Sequence, residues 1–376
     1  MKYTRLGATG RKISRLGMGC MRLPLTDPAD YRSIDKDRTA AMFEELLDGG
    51  VNYFDTAYPY HEGASEEVVG ELLAPRRREV LLATKSPGWL IKKPEDVRRY
   101  FDEQLTRLRT DYIDFYYLHG INRQEFEETD QRGGWLKECT RLREEGLVRH
   151  LCFSFHGPPE DMIWLAESGL FEAVLCQYSL LDQSNERGIA TAHELGLWVL
   201  IMGPVGGGRI TEFGPQVIDK LQIDMAGRAR LALQFVWSNP GVDVAVSGMS
   251  SLEQVRDNLE IERRAKHMED RDLDAVRGIM THLKSLGRNY CTACRYCMPC
   301  PQGVNIPLIF SIKIGFDVYG MEALSRDRYD QIGTIKWMPG AKAGACIRCG
   351  ECEPKCPQKI PIIEQLRECA ELFEGT

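Results

Sequence analysis

No stretch of the chain reaches the roughly 18 consecutive apolar residues that a membrane-spanning helix needs, so no transmembrane segment is expected. The opening Met1-Lys-Tyr-Thr-Arg-Leu-Gly7 has no apolar core of the kind that directs export. A cytoplasmic protein without a signal peptide is therefore expected. Positive charge is in deficit: 48 Lys and Arg against 55 Asp and Glu leave a net charge of −7. That balance argues against nucleic acid or an anionic membrane as the main partner. Also missing is a glycine-rich phosphate loop after the first apolar run, because Gly17-Met-Gly19-Cys20-Met is followed by no helix start. Its absence counts against an open doubly wound sheet.

What is present is alternation. Apolar runs at Leu16–Cys20, Tyr53–Ala57, Val80–Ser86, Tyr112–His119, Val148–Phe155, Ala173–Ser179, Leu197–Pro204 and Val242–Gly248 read as strands. Near-continuous apolarity marks parallel strands covered on both faces. Helices are expected over Asp37–Asp48, Ser65–Leu73, Pro94–Arg109, Trp135–Glu145, Pro158–Glu167, Glu186–Leu195, Ala226–Ser238 and Leu252–Arg264. In the third, Val97, Phe101, Leu105 and Leu108 form one helical stripe, opened by Pro94 and two acids. Asn122–Gly134 and Gly206–Ile223 read as loops. Eight βα units within 1–268 are the arithmetic of an α/β fold of the TIM-barrel, (β/α)8, type. Residues 269–287 read as a linker helix, and 288–376 as a separate, mainly helical domain.

Thirteen cysteines are spread unevenly. Eight fall in two runs, Cys291-x2-Cys294-x2-Cys297-x2-Cys300-Pro and Cys346-x2-Cys349-x2-Cys352-x3-Cys356-Pro. The second run fits the bacterial ferredoxin pattern fully, and the first is one residue short before its last cysteine. A disulfide framework suits a short exported chain, and structural zinc usually takes two C-x2-C pairs. Both fit less well than iron–sulfur ligation. In a two-cluster ferredoxin the Cys-Pro cysteine of one run ligates the other cluster. Two [4Fe-4S] clusters are thus expected, one on Cys291, Cys294, Cys297 and Cys356, the other on Cys346, Cys349, Cys352 and Cys300. Such clusters admit a ferredoxin or other redox partner.

A barrel of this kind carries its chemistry at the C-terminal ends of its strands. There stand Asp55 and Tyr60 after the second strand, Lys85 in the third and His119 closing the fourth. A phenol with pKa near about 10 is a poor acid at neutral pH, and a nearby ammonium lowers that value. A carboxylate fixes the ammonium, and a neutral imidazole can orient a carbonyl oxygen. Together they make a general acid for protonating a carbonyl.

From Tyr3-Thr-Arg-Leu-Gly-Ala-Thr-Gly-Arg11 through Ser247-Gly-Met-Ser-Ser-Leu-Glu-Gln-Val-Arg-Asp-Asn258 the chain resembles the aldo–keto reductases, in the branch with a C-terminal [4Fe-4S] domain. The resemblance implies an oxidoreductase acting on a small-molecule substrate. Tyr60 would be the acid/base, Lys85 and Asp55 its tuning pair, and His119 the carbonyl-orienting residue. It also implies NADP or NAD along Gly19, Cys20, Ser154, Gln177, Gly203, Arg209, Gly248, Ser250, Gln254 and Asn258. Two departures stand out. Ser154-Phe155-His156 replaces the usual Ser-Asn after strand five, and Met202-Gly203-Pro204 replaces an aromatic followed by Ser-Pro. A hydride carries two electrons and a cluster passes one, so a flavin such as FMN is the group that would convert between them. The alternatives are a ferredoxin-linked reductase of another substrate class and a redox-sensing regulatory protein.

Overall fold

The computed structural model describes residues 1–5, 11–28, 30–221, 227–286, 291, 295–335, 337–356 and 359–375. The chain divides into two compact units: residues 1–207 with 229–268, and residues 208–228 with 269–376.

The first unit opens with an antiparallel hairpin, β1 (Tyr3–Arg5) and β2 (Lys12–Ser14). Eight strands follow: β3 (Leu16–Gly19), β4 (Tyr53–Asp55), β5 (Leu81–Ser86), β6 (Ile113–Ile121), β7 (Val148–Phe155), β8 (Ala173–Gln177), β9 (Trp198–Met202) and β10 (Val244–Ser247). They pair in parallel in chain order, and β10 returns to β3, which closes the barrel. Closure leaves no exposed sheet edge. All eight match the apolar runs read from sequence. The barrel interior is filled by Tyr53, Leu81, Ala83, Phe115, Tyr117, Leu175, Leu200 and Val246, with Ile13 of the hairpin packed among them. It is a core rather than a pore.

The helices are α1 (Lys36–Asp48), α2 (Ala64–Leu73), α3 (Pro94–Arg107), α4 (Arg123–Gly133), α5 (Trp135–Glu144), α6 (Pro159–Glu167), α7 (Glu186–Glu194), α8 (Pro215–Leu221), α9 (Gly227–Trp237) and α10 (Leu252–Arg264). Helix α4 corrects the loop expected over Asn122–Gly134. The Asn122 side chain accepts from the Glu125 N–H, and Glu125 accepts from the Asn122 N–H, a reciprocal cap. Gly134, at φ 54°, then separates α4 from α5. In α3 the buried stripe is Val97, Phe101, Gln104 and Leu108, with Leu105 only half-buried. A glutamine is therefore turned into the core, for a reason given below. At the start of β6, Asp114 is fully buried and meets Arg11 and Arg77, each at 2.8 Å, and Arg149 at 3.5 Å.

The second unit is helical: α11 (Asp270–Leu286), α12 (Ile306–Asp317), α13 (Glu322–Asp330) and α14 (Ile362–Glu374). Its core joins Val304, Ile306, Ile309, Phe310, Tyr329, Ile362, Leu366 and Cys369. The segment 208–228, read from sequence as part of the barrel, packs in this unit. Phe213 stacks on Tyr319 at 5.5 Å, and the Gly214 N–H donates to the Tyr319 carbonyl.

Candidate active site and cysteine centre

Asp55 ends β4, Lys85 lies near the end of β5, and His119 lies near the end of β6. Tyr60 sits just beyond β4 on a short turn, Tyr60–Gly63. The parallel register thus brings all four to one end of three adjacent strands. Lys85 Nζ lies 2.6 Å from Asp55 Oδ1 and donates to the Thr56 carbonyl at 2.7 Å. It also sits 4.7 Å from the centre of the Tyr60 ring. The Tyr60 and His119 rings meet edge to face at 5.9 Å. On the other side of His119 stands Trp89, at 5.4 Å and half exposed.

Burial works against charge on every member. It opposes the Lys85 ammonium, but Asp55 and Tyr60 outweigh it and hold the lysine above its usual pKa. Burial raises the Asp55 carboxyl, opposed by Lys85 and by the Tyr53 hydroxyl at 3.5 Å. At 2.6 Å, with both groups almost fully buried, the pair is an ion pair. Burial raises the Tyr60 phenol, and the Lys85 charge pulls it only part of the way back. The sequence expectation of a lowered tyrosine is therefore reversed in direction, because desolvation exceeds the ammonium's effect. His119 is held well below the usual histidine range by burial and then by the Lys85 charge. It is neutral at pH 7, and its buried Nδ1 has no hydrogen-bond partner among the described residues.

The backbone of Lys85 is held by a buried polar cluster that sequence reading did not find. Gln104 donates to the Lys85 carbonyl at 3.0 Å and to Glu66 at 2.7 Å, while the Thr84 hydroxyl donates to Glu66 at 2.6 Å. Arg107 completes it at 3.2 Å. This is why α3 turns Gln104 inward. Tyr60 is held by an unusual turn: His61 and Glu62 have φ of 50° and 53°, and Gly63 has 95°. Left-handed backbone costs an ordinary residue roughly 1 kcal/mol or more. His61 offsets this by stacking on Tyr31 at 4.4 Å. It accepts from the Leu23 N–H at Nε2 and reaches the Tyr31 carbonyl with Nδ1. A buried histidine beside the tyrosine was the only available hint, and sequence gives no φ.

The residues expected to hold a nicotinamide fall around the same strand ends. Gly19 and Gly248 lie side by side at the ends of β3 and β10, where a Cβ on Gly19 would come within 3.3 Å of Val246. Cys20 is fully buried, and its carbonyl accepts from Ser65. Ser154 Oγ accepts from the Gly120 N–H at 2.7 Å. Gln177 ends β8 and Gly203 follows β9 with φ of 65°. Ser250 donates to Gln254 through N–H and hydroxyl, and Asn258 donates to Ser247 at 2.8 Å. Arg209 belongs to the second unit. His156, in the Ser154-Phe155-His156 segment that replaces the usual Ser-Asn, feels the Lys85 charge, and burial and that charge lower its pKa.

In the second unit Cys297, Cys300, Cys346, Cys349 and Cys352 line one surface pocket. Cys291 and Cys356 pack against the same core, and Cys294 lies outside the described residues. Among the described residues no three His, Cys, Asp or Glu side chains converge as a single metal ion would require. Thiols gathered around one pocket without converging on a single point suit a polynuclear cluster better than one zinc.

Comparison with known proteins identifies two family regions in the chain. Residues 15–279 match the profile of the aldo/keto reductase family, and residues 290–360 match a 4Fe-4S dicluster domain. The uncharacterized oxidoreductase YqkF of Bacillus subtilis is 26% identical, over 76% of this chain and 97% of that protein. L-galactose dehydrogenase of Arabidopsis thaliana is 28% identical, over 75% and 95%. The holo form of aldo-keto reductase AKR11C1 from Bacillus halodurans superposes with a TM-score of 0.64 at 26% identity, over 74% of this chain and 96% of that one. With a closed eight-stranded barrel and a family match over most of its length, the chain is an aldo–keto reductase family oxidoreductase that carries a C-terminal 4Fe-4S domain.

Proposed function

We propose that the barrel interconverts a carbonyl and an alcohol on a small molecule, with Tyr60 as the general acid and base. The observation that carries this reading is the buried Lys85–Asp55 ion pair beside a phenol and a neutral imidazole with an unpartnered Nδ1. Tyr60 Oη keeps its proton at neutral pH because burial raises it. Once that proton passes to a carbonyl oxygen, the Lys85 ammonium stabilises the phenolate left behind. Asp55 keeps the ammonium charged and aimed. His119, being neutral, donates a hydrogen bond that orients the carbonyl oxygen.

The cofactor read for this site is NADP or NAD, which when bound supplies the hydride. Gly19, Cys20, Ser154, Gln177, Gly203, Gly248, Ser250, Gln254 and Asn258, all in the first unit, would hold it. Arg256, the cation nearest that last loop in sequence, is paired with Glu45 at 3.2 Å. Tyr60→Phe is expected to abolish carbonyl reduction while leaving folding and iron content unchanged. Full activity in that variant refutes the assignment.

We read the cysteines as ligands of two [4Fe-4S] clusters, Cys346, Cys349 and Cys352 with Cys300, and Cys291, Cys294 and Cys297 with Cys356. All four members of the first set line one pocket, in keeping with the crossed pairing, and Cys297 of the other set lines it too. Analysis giving about four iron and sulfide per chain, rather than about eight, would remove one cluster. A second reading, a ferredoxin-linked reductase with or without FMN, is favoured by the Ser154-Phe155-His156 segment, which lacks the usual carboxamide-holding Asn. Anaerobic purification followed by cofactor extraction separates the two: released flavin supports the second, and its absence the first.

A further inference from the structure

We propose that the rim of the cysteine loops is a docking surface for a small acidic one-electron carrier protein. The proposal rests on the reading that these cysteines hold iron–sulfur clusters, and it adds a surface and a partner chemistry.

Three observations carry it. First, large apolar side chains are exposed at the cysteine runs themselves. Tyr296, next to Cys297, is 66% exposed, and Ile347, next to Cys346, is 62% exposed. Ile347 lines the cysteine cavity together with Pro299, Pro301 and Lys355. A large apolar group in water at a functional rim marks a contact surface better than one placed at random. Second, Cys349 is itself exposed, so the centre it borders reaches the protein surface.

Third, charge is sorted within the domain. The described parts of the cysteine loops, 291–303 and 346–360, carry Arg295, Arg348, Lys355 and Lys359 against Glu351 and Glu353. The balance there is +2 in a chain whose total is −7. Among the described residues none of those four cations forms an ion pair. Most other cations of the domain do, as Lys313 with Asp317 and Arg367 with Glu371 show. Unpaired cations around an apolar centre steer an anionic partner and set its register. The patch is small, which suits redox encounters that bury under about 1,200 Å².

In the encounter one electron leaves the reduced carrier, which is oxidised by one. The cysteine-held centre of this chain gains that electron and is reduced by one. No atom or proton is transferred.

The test uses the anaerobically purified holoprotein and a purified acidic [4Fe-4S] ferredoxin as probe. Binding is read by isothermal titration calorimetry at about 20 and about 300 mM NaCl, where the Debye length is about 20 Å and about 6 Å. Affinity is expected to fall at least about tenfold with salt, as exposed charge pairs do when screened. Arg348→Glu with Lys355→Glu, and separately Tyr296→Ser with Ile347→Ser, are each expected to weaken it by a similar factor, with iron and sulfide unchanged. Salt-independent binding, undiminished binding in both double variants, or no binding by iron-loaded protein overturns the docking surface. So does a self-association of the chain that the same variants abolish, because a second copy would then cover the rim. Wild-type protein without iron and sulfide overturns the cluster reading, and this proposal with it.

Discussion

Replacing Lys85 by Met tests the electrostatic support of the site directly. The change keeps the length of the side chain and removes its charge. Asp55, 4% exposed, is left with its anionic form unsupported, because the Tyr53 hydroxyl is distant at 3.5 Å. At 2.6 Å the gross attraction is about 6 kcal/mol with an effective dielectric of roughly 20. Much of that is offset by the cost of burying both ions, so the net contribution of the pair is small. Breaking it by removing one partner is different, and costs about 3–5 kcal/mol. Urea unfolding at pH 7 is expected to register that loss. Asp55→Asn in the same background removes the stranded charge and should recover about 2 kcal/mol or more, within the coupling seen for contacting residues. The pH dependence fixes the cause. Without Lys85 the Asp55 carboxyl rises further above its unfolded value, so it binds a proton more tightly when folded. The variant should therefore gain more stability than the wild type as pH falls from 7 toward 5, because the wild-type Asp55 carboxyl is raised less. Additive single-variant losses, or a pH-independent deficit, would refute the ion-pair argument.

Asp114→Ala removes a fully buried carboxylate from Arg77 and Arg11 and should cost about 3–5 kcal/mol, read by urea unfolding with activity intact in the folded fraction. Asn122→Ala deletes the cap of α4 and should cost about 1 kcal/mol without altering turnover, because the capped end is exposed. Carbonyl reduction should show no loss as pH rises from 7 to 9, since Tyr60 must be protonated and its pKa is raised. His119 titrates well below 6.5, so a break in the rate near pH 6.5 would count against its neutral role.

The barrel was legible because each central strand is covered on both faces, which forces a near-continuous apolar run. That Asp55, Tyr60, Lys85 and His119, the four residues proposed for catalysis, lie together was legible because a short parallel strand ends abruptly, leaving Asp55, Lys85 and His119 at positions that periodicity can locate. Helix α4 was missed because its composition is highly polar and its only marks are the reciprocal cap and Phe126. His61 escaped because its role depends on a positive φ. Tyr53 and Gln104 escaped because their partners are set by cross-strand register and helix rotation. The raised Tyr60 pKa was misread for a related reason: residue types give the sign of the lysine's effect, and only burial gives the size of the opposing one. Segment 208–228 was assigned to the barrel by its place in the chain, while its packing is decided by Phe213 finding Tyr319 more than a hundred residues later.

That last contact bears on how this chain can be divided, in the laboratory or in descent. A finished barrel with a ferredoxin module joined to its end could be cut cleanly after Met268. This chain cannot, because Phe213, Val217 and Ile218 are buried in a unit most of which lies beyond that point. A chain ending at 268 would carry those apolar groups without the side chains that cover them, and would be prone to aggregate. The C-terminal part, made alone, would lack one of its own helices. A shortened chain meant to keep the cysteine domain intact would therefore have to carry residues 208–228 as well.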